Sequence, residues 1–199
     1  MNTMQPDPFP HAVVDWWFGR ELLEPIVDEF PPLGDPRWGR FRNGNEYKLE
    51  GNHTMWGPAA ADYFIELDGR TAELEERSGI PNLTMETVGG GYHLIPPGGR
   101  LAMHVDFNRS PDTGLYRRLN VLTYLNVDWT DPGGVLQLGE HAEVSVVPEM
   151  GRTVIFATSA TSWHGHPVPA DQWRKSIAAY FFSPEPAPGF ESEASTVWL

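Results

Sequence analysis

A mainly β domain with helices at its N-terminal end is the fold class this chain predicts. Its strand pattern allows two forms, an antiparallel barrel or a double-sheet jelly roll. Three observations predict it. After about residue 80 the chain breaks into short β-prone runs, Gly- and Pro-rich turn chemistry separates them, and before that point apolar residues recur at helical spacing.

In chain order, ELLEPIVDEF places Leu22, Leu23, Ile26, Val27 and Phe30 at helical intervals, with Pro25 leaving the start of that helix open. A second helix opens at Pro58 and carries Ala60, Tyr63, Phe64 and Leu67 on one face. Gly79 followed by Pro81 closes it, or its continuation past Gly69. Between the two, residues 31–57 are rich in Gly, Pro, Asn and Trp and predict an irregular connection facing substrate. The strand candidates are LTMETV, YHLI, RLAMHV, LNVLTYLNV, GVLQL, AEVSVV, RTVIFAT and SIAAYFF, with PPGG, SPDTG, TDPGG and PEMG among the gaps. The last stretch, PEPAPGFESEASTVWL, predicts a loosely held tail from which Trp198 docks. The expected organisation is one domain over 1–199: helical and irregular support to residue 80, a β core over 81–183, and a tail over 184–199.

With 199 residues, 40% of them hydrophobic, the chain is long enough for one real core. The net charge of −13 repels phosphate backbones and anionic headgroups, which disfavours nucleic acid and membrane partners. No apolar run is long enough to cross a bilayer and no signal peptide is visible at the start, so a cytoplasmic protein is expected. The absence of cysteine excludes thiolate sites and disulfides, so a bound metal must take His, Asp and Glu.

The stretch LAMHVDFN carries the first chemistry. A strand here points His104 and Asp106 to the same side, and an imidazole and a carboxylate on a buried face are costly unless paired or bound to metal. A second histidine would complete the two-histidine, one-carboxylate set that holds Fe(II) and leaves three adjacent positions open. His164 in SWHGHPV is the candidate, with His166, two residues on, as the alternative. Ten residues beyond His164 stands Arg174, and Ser176 alternates to its face. A guanidinium fork and a hydroxyl there suit the carboxylate of a diacid whose other end chelates the metal.

Taken together, GGRLAMHVDFN, RRLNVLTYLNVDW, GGVLQL, VVPEMGRTVIF and WHGHPV followed by RKSIAAYFF resemble the 2-oxoglutarate and iron(II)-dependent dioxygenases, in particular their prolyl-hydroxylase-like branch. The likeness runs from about residue 89 to 183, nearly half of the chain. It implies a double-stranded β-helix, a cupin-like jelly roll, as the core fold. It further implies His104, Asp106 and His164 as iron ligands and Arg174 as partner of the distal carboxylate of 2-oxoglutarate. Tyr124 and Asn120 are implied beside that cosubstrate. The chain departs from the branch in HGHPV, where His164 stands three residues before Pro167, whereas many relatives place their histidine four before; this keeps His166 open. Asp106 stands where halogenating relatives carry a small residue, so hydroxylation is favoured over halogenation.

The implied cofactors are Fe(II), the cosubstrate 2-oxoglutarate and O2. The implied reaction is hydroxylation of an aliphatic C–H bond, coupled to decarboxylation of 2-oxoglutarate to succinate. A small molecule, an amino acid or a natural-product intermediate, is the expected substrate. Two alternatives stand beside it: a peptidyl-prolyl hydroxylase acting on a protein, and a cupin-like metal-binding protein without 2-oxoglutarate. Lys48 and the other polar and aromatic residues of 31–57 are candidates for the substrate mouth, and Arg109, Arg117 and Arg118 for a loop folding over the iron.

Overall fold

The computed structural model describes residues 4–199 and consists of two antiparallel sheets with a helical layer. In chain order the strands are β1 (His11–Asp15), β2 (Gly39–Arg42), β3 (Tyr47–Gly51), β4 (Thr84–Ile95), β5 (Leu101–Val105), β6 (Tyr116–Tyr124), β7 (Leu136–Leu138), β8 (Val144–Val146), β9 (Arg152–Ala157), β10 (His164–His166), β11 (Arg174–Ser183) and β12 (Val197–Trp198). The larger sheet has the order β1-β9-β6-β11-β4-β3-β2, and the smaller β12-β5-β10-β7-β8. This is the jelly roll rather than a closed barrel. Three helices, α1 (Arg20–Asp28), α2 (Pro58–Asp68) and α3 (Thr71–Ser78), stand with the larger sheet.

Strand β11 shows how one sequence serves both layers. It reads RKSIAAYFFS, almost uniformly apolar in its second half, because both of its faces are buried. Ile177, Ala179 and Phe181 join Leu23, Ile26 and Phe64 in the main core between the larger sheet and the helices. Alternation sends Arg174, Ser176, Ala178, Tyr180 and Phe182 to the opposite face. Phe181 is fully buried, and its truncation to Ala would cost about 3–5 kcal/mol. The helices are pinned by polar contacts as well. Gly57 offers α2 no capping side chain, and Glu29 supplies it from the end of α1, its carboxylate accepting from the backbone N–H of Ala59 and Ala60 at 3.1 and 2.7 Å.

Several elements differ from the sequence expectation. LTMETV and YHLI are one strand, β4, carried through Gly89, Gly90 and Gly91 where its pairing with β11 shifts register. Gly91 has a φ of 122°, and a Cβ there would lie 2.1 Å from the carbonyl oxygen of Gly51, so only glycine lets the strand pass. Residues 31–57 are not simply an irregular connection, because they contain the hairpin β2–β3, which extends the larger sheet. Asn43 builds its turn by accepting from the N–H of Asn45 and Glu46 at 2.8 and 3.1 Å. The helical stretch 58–78 is two helices broken at Gly69 and Arg70. The tail is not loosely held: Asn108 donates to the carbonyls of Phe190 and Ser192, both at 2.8 Å, accepts from Ala194 N–H, and β12 adds to the edge of β5. No described helix is long and apolar enough to cross a membrane.

Candidate active site

Register places the two histidines. His164 at the start of β10 is the direct partner of His104 on β5, and the ring centroids lie 4.3 Å apart. Gly165 makes the approach possible, since a Cβ there would sit 2.7 Å from the Ala102 carbonyl oxygen. Each imidazole donates Nδ1–H to a backbone carbonyl two residues earlier, His104 to Ala102 and His164 to Ser162, both at 2.9 Å. That sets the tautomer and leaves both Nε2 lone pairs free. These converge on Asp106 just past β5, with His104 Nε2 3.5 Å from Oδ1 and His164 Nε2 3.4 Å from Oδ2. The three offer ligand atoms all within 4.8 Å of one another, and all three are buried. His166 lies outside this group.

The carboxylate is held from behind. Asn120 donates its amide to Asp106 Oδ2 at 2.8 Å, and Arg117 Nη2 lies 3.0 Å from the same oxygen. Arg117 Nε in turn donates to the Asn120 carbonyl at 2.9 Å, closing a buried triangle. The Arg117 guanidinium stacks on Tyr180, 3.6 Å from the ring centroid. Burial pushes the Asp106 carboxyl up, but Arg117 and the two imidazoles outweigh it and hold it well below the usual carboxylate range. Burial, with His104 beside it, drives His164 down to about 4, against the pull of Asp106. At neutral pH His164 is therefore a neutral imidazole and Asp106 a carboxylate, the protonation states metal binding requires of them. The residues fit a divalent ion of Fe(II) type.

Beside the triad lies an inner chamber of about 60 Å³, lined among others by Ile95, Leu101, Leu136, His166 and Arg174. Arg174 is 3% exposed, donates Nε–H to the Gly134 carbonyl at 2.8 Å and Nη2–H to the Tyr124 hydroxyl at 3.1 Å, and has no carboxylate partner among the described residues. A buried unpaired guanidinium is costly, and an incoming anion removes the cost. Ser176 Oγ and His166 Nδ1 are likewise buried without hydrogen-bond partners. Ser176 pairs with Tyr124 across β6 and with His93 across β4. Asn120, expected beside the cosubstrate, lines this chamber but commits its amide to Asp106.

An outer chamber of about 240 Å³ opens from the first and shares Lys48, His104, Asp106, Arg117 and Tyr180 with it. Its further walls include Phe41, Glu46, Glu50, Phe107 and Trp198, the last with its ring 5.0 Å from that of His104. Of the residues expected at the mouth, Lys48 lines it, whereas Trp38 is in the main core and Trp56 stacks on Phe64. Arg117 reaches the site, but Arg109 bonds the Gly114 carbonyl and Arg118 the Glu185 carbonyl, away from it. Sequence reasoning missed Tyr180 and Glu50. Tyr180 shares the face of Arg174 on β11, a signal present in the alternation but masked by the apolar run around it.

The comparisons with known proteins bear on what this fold and donor set serve. Residues 90–182 match the model of the 2OG-Fe(II) oxygenase superfamily. The enzyme is a dioxygenase that uses Fe(II), 2-oxoglutarate and O2. Its fold resembles a prolyl-4-hydroxylase from Pseudomonas putida, at 20% identity and a TM-score of 0.69, covering 87% of this chain and 92% of that one. It also resembles a prolyl hydroxylase from Trichoplax adhaerens, solved in complex with a hypoxia inducible factor peptide fragment, at 18% identity and a TM-score of 0.67, covering 87% and 83%. A third likeness is to HygX from Streptomyces hygroscopicus, solved with nickel, 2-oxoglutarate and hygromycin B, at 16% identity and a TM-score of 0.56, covering 87% and 82%. No curated protein matches the chain.

Proposed function

We propose that this oxygenase hydroxylates an aliphatic C–H bond of a small molecule, an amino acid or a natural-product intermediate. In this reading His104, Asp106 and His164 hold the iron, and Arg174, with Tyr124 and Ser176, holds the distal carboxylate of 2-oxoglutarate. The observation that carries it is the convergence of two free Nε2 atoms and one carboxylate beside a buried arginine that lacks a carboxylate. When bound, iron and 2-oxoglutarate supply the oxidation, in which O2 and the keto acid give succinate, CO2 and one oxygen atom inserted into substrate.

The chain's own residues bind and orient. Ala102 and Ser162 fix the two imidazole planes, and Arg117 with Asn120 fixes the Asp106 carboxylate. Tyr124 and the Gly134 carbonyl hold the Arg174 fork in one orientation. Ile95, Leu101, Leu122 and Leu136 form the apolar part of the inner chamber's lining.

The small-molecule reading is supported by the small outer chamber and by β12. This strand occupies the β5 edge beside His104, so an extended peptide has no free edge there to add to. The likeness in fold to prolyl hydroxylases supports the second reading, a peptidyl-prolyl substrate. Anaerobic titration with Fe(II) and 2-oxoglutarate, followed by succinate release across amino acids, metabolites and proline-rich peptides, tests both. A weak visible charge-transfer band and turnover with a small molecule are expected. Turnover with peptides alone overturns the substrate reading, and no band overturns the ligand assignment.

A further inference from the structure

We infer that the outer chamber recognises a protonated amine on the substrate, with Glu50 as its counter-charge. The substrate class is then small aliphatic amines, amino acids included. This rests on the small-molecule reading above.

Glu46, Lys48 and Glu50 alternate onto one face at β3, and the Lys48 ammonium lies 3.2 Å from Glu46 Oε2 and 2.7 Å from Glu50 Oε1. One ammonium thus serves two carboxylates. Arg117 acts on Glu50 only at longer range, its guanidinium being paired with Asp106, and His93, the cross-strand neighbour of Glu50, makes no ion pair with it. The two acids are not equivalent. Glu46 is committed at both oxygens, since Asn43 donates to its Oε1 at 3.1 Å. Glu50 uses only Oε1, and its Oε2 has no partner among the described residues. One carboxylate oxygen without a direct partner is therefore left at the wall of the outer chamber.

A second observation points the same way. Tyr180 is only 7% exposed and lines both chambers, yet its hydroxyl makes no hydrogen bond among the described residues. A buried hydroxyl open to a cavity suits a donor arriving with the ligand. The remaining walls are aromatic: Phe41, Phe107 and Trp198. Phe41 already faces a cation, with Lys48 Nζ 5.2 Å from its ring centroid. A carboxylate, a free phenol and aromatic faces together favour an ammonium over a neutral or anionic group.

The test uses the full chain loaded anaerobically with Fe(II) and 2-oxoglutarate. Binding of benzylammonium and n-butylammonium is measured by ligand-observed NMR against benzyl alcohol and 1-butanol. The wild type should prefer each amine by about tenfold. Glu50→Gln should bring that preference to about twofold or less, while the charge-transfer band of the iron chelate stays unchanged. Lys48→Met, which removes the competing ammonium, should raise the preference, and it decides the matter if Glu50→Gln does not fold. No amine preference in the wild type, or a preference untouched by Glu50→Gln, overturns the inference. Loss of the chelate band in the wild type would instead mark failure of the ligand assignment beneath it.

Discussion

His104 and His164 face each other across β5 and β10, and each donates Nδ1–H to the carbonyl of the residue two positions before it. The two Nε2 atoms are thereby aimed at one point beside Asp106 before any ion arrives. His166, on the same short strand, has no such anchor: its Nδ1 is buried without a partner and its ring faces the inner chamber. Replacing His164 by Ala should therefore abolish the charge-transfer band of the iron chelate, whereas His166→Ala should retain it. Retention of the band in His164→Ala would exchange the two roles.

Arg117 and Asn120 touch no expected ligand atom except through Asp106, so their effect should fall on metal affinity. Arg117→Met and Asn120→Ala are each expected to weaken Fe(II) binding by about 10- to 100-fold. A metal titration of the folded variants measures it. Unchanged affinity would reduce the triangle to a packing device.

Arg174→Ala leaves the cosubstrate carboxylate without its charged partner. The 2-oxoglutarate requirement should rise by the equivalent of about 2–5 kcal/mol, with Fe(II) affinity little changed. Steady-state kinetics at varied 2-oxoglutarate checks this, and an unchanged requirement would point to another anchor.

Acid should destabilise the metal-free protein through its buried histidines. His164 is driven by burial and by His104 from 6.5 to about 4, and His93 and His166 are shifted in the same direction, mainly by burial. Below pH 6.5 the unfolded chain takes up protons that the folded chain refuses, so stability present above 6.5 is lost as pH falls towards 4. For His164 alone the loss is at most about 3 kcal/mol. Asp106, held low, extends the loss to still lower pH. Thermal melts of the metal-free protein between pH 7 and 4 should show a falling Tm, and His164→Gln should flatten part of the fall.

The core was legible where pattern and burial agree. Alternation in LAMHVDFN places His104 and Asp106 together, and the run SIAAYFF marks β11. The hairpin β2–β3 was not legible, because Arg40, Arg42, Lys48 and Glu50 read as loop residues when it is cross-strand pairing and the charged chamber wall that use them. Strand β12 leaves no local signal for a related reason: two residues carry no periodicity, and Asn108, a distant side chain, fixes the path leading to it. Arg117 was legible as a cation near the site, but its bond to Asp106 depends on the β5–β6 geometry, which no local pattern encodes.

The most direct measurement is a crystal structure of the protein grown anaerobically with Fe(II) and 2-oxoglutarate, with iron located by its anomalous signal. The account predicts one iron bonded to His104 Nε2, Asp106 and His164 Nε2, and the distal carboxylate of 2-oxoglutarate paired with Arg174. Iron on His166, or a cosubstrate whose distal carboxylate lies away from Arg174, would contradict it.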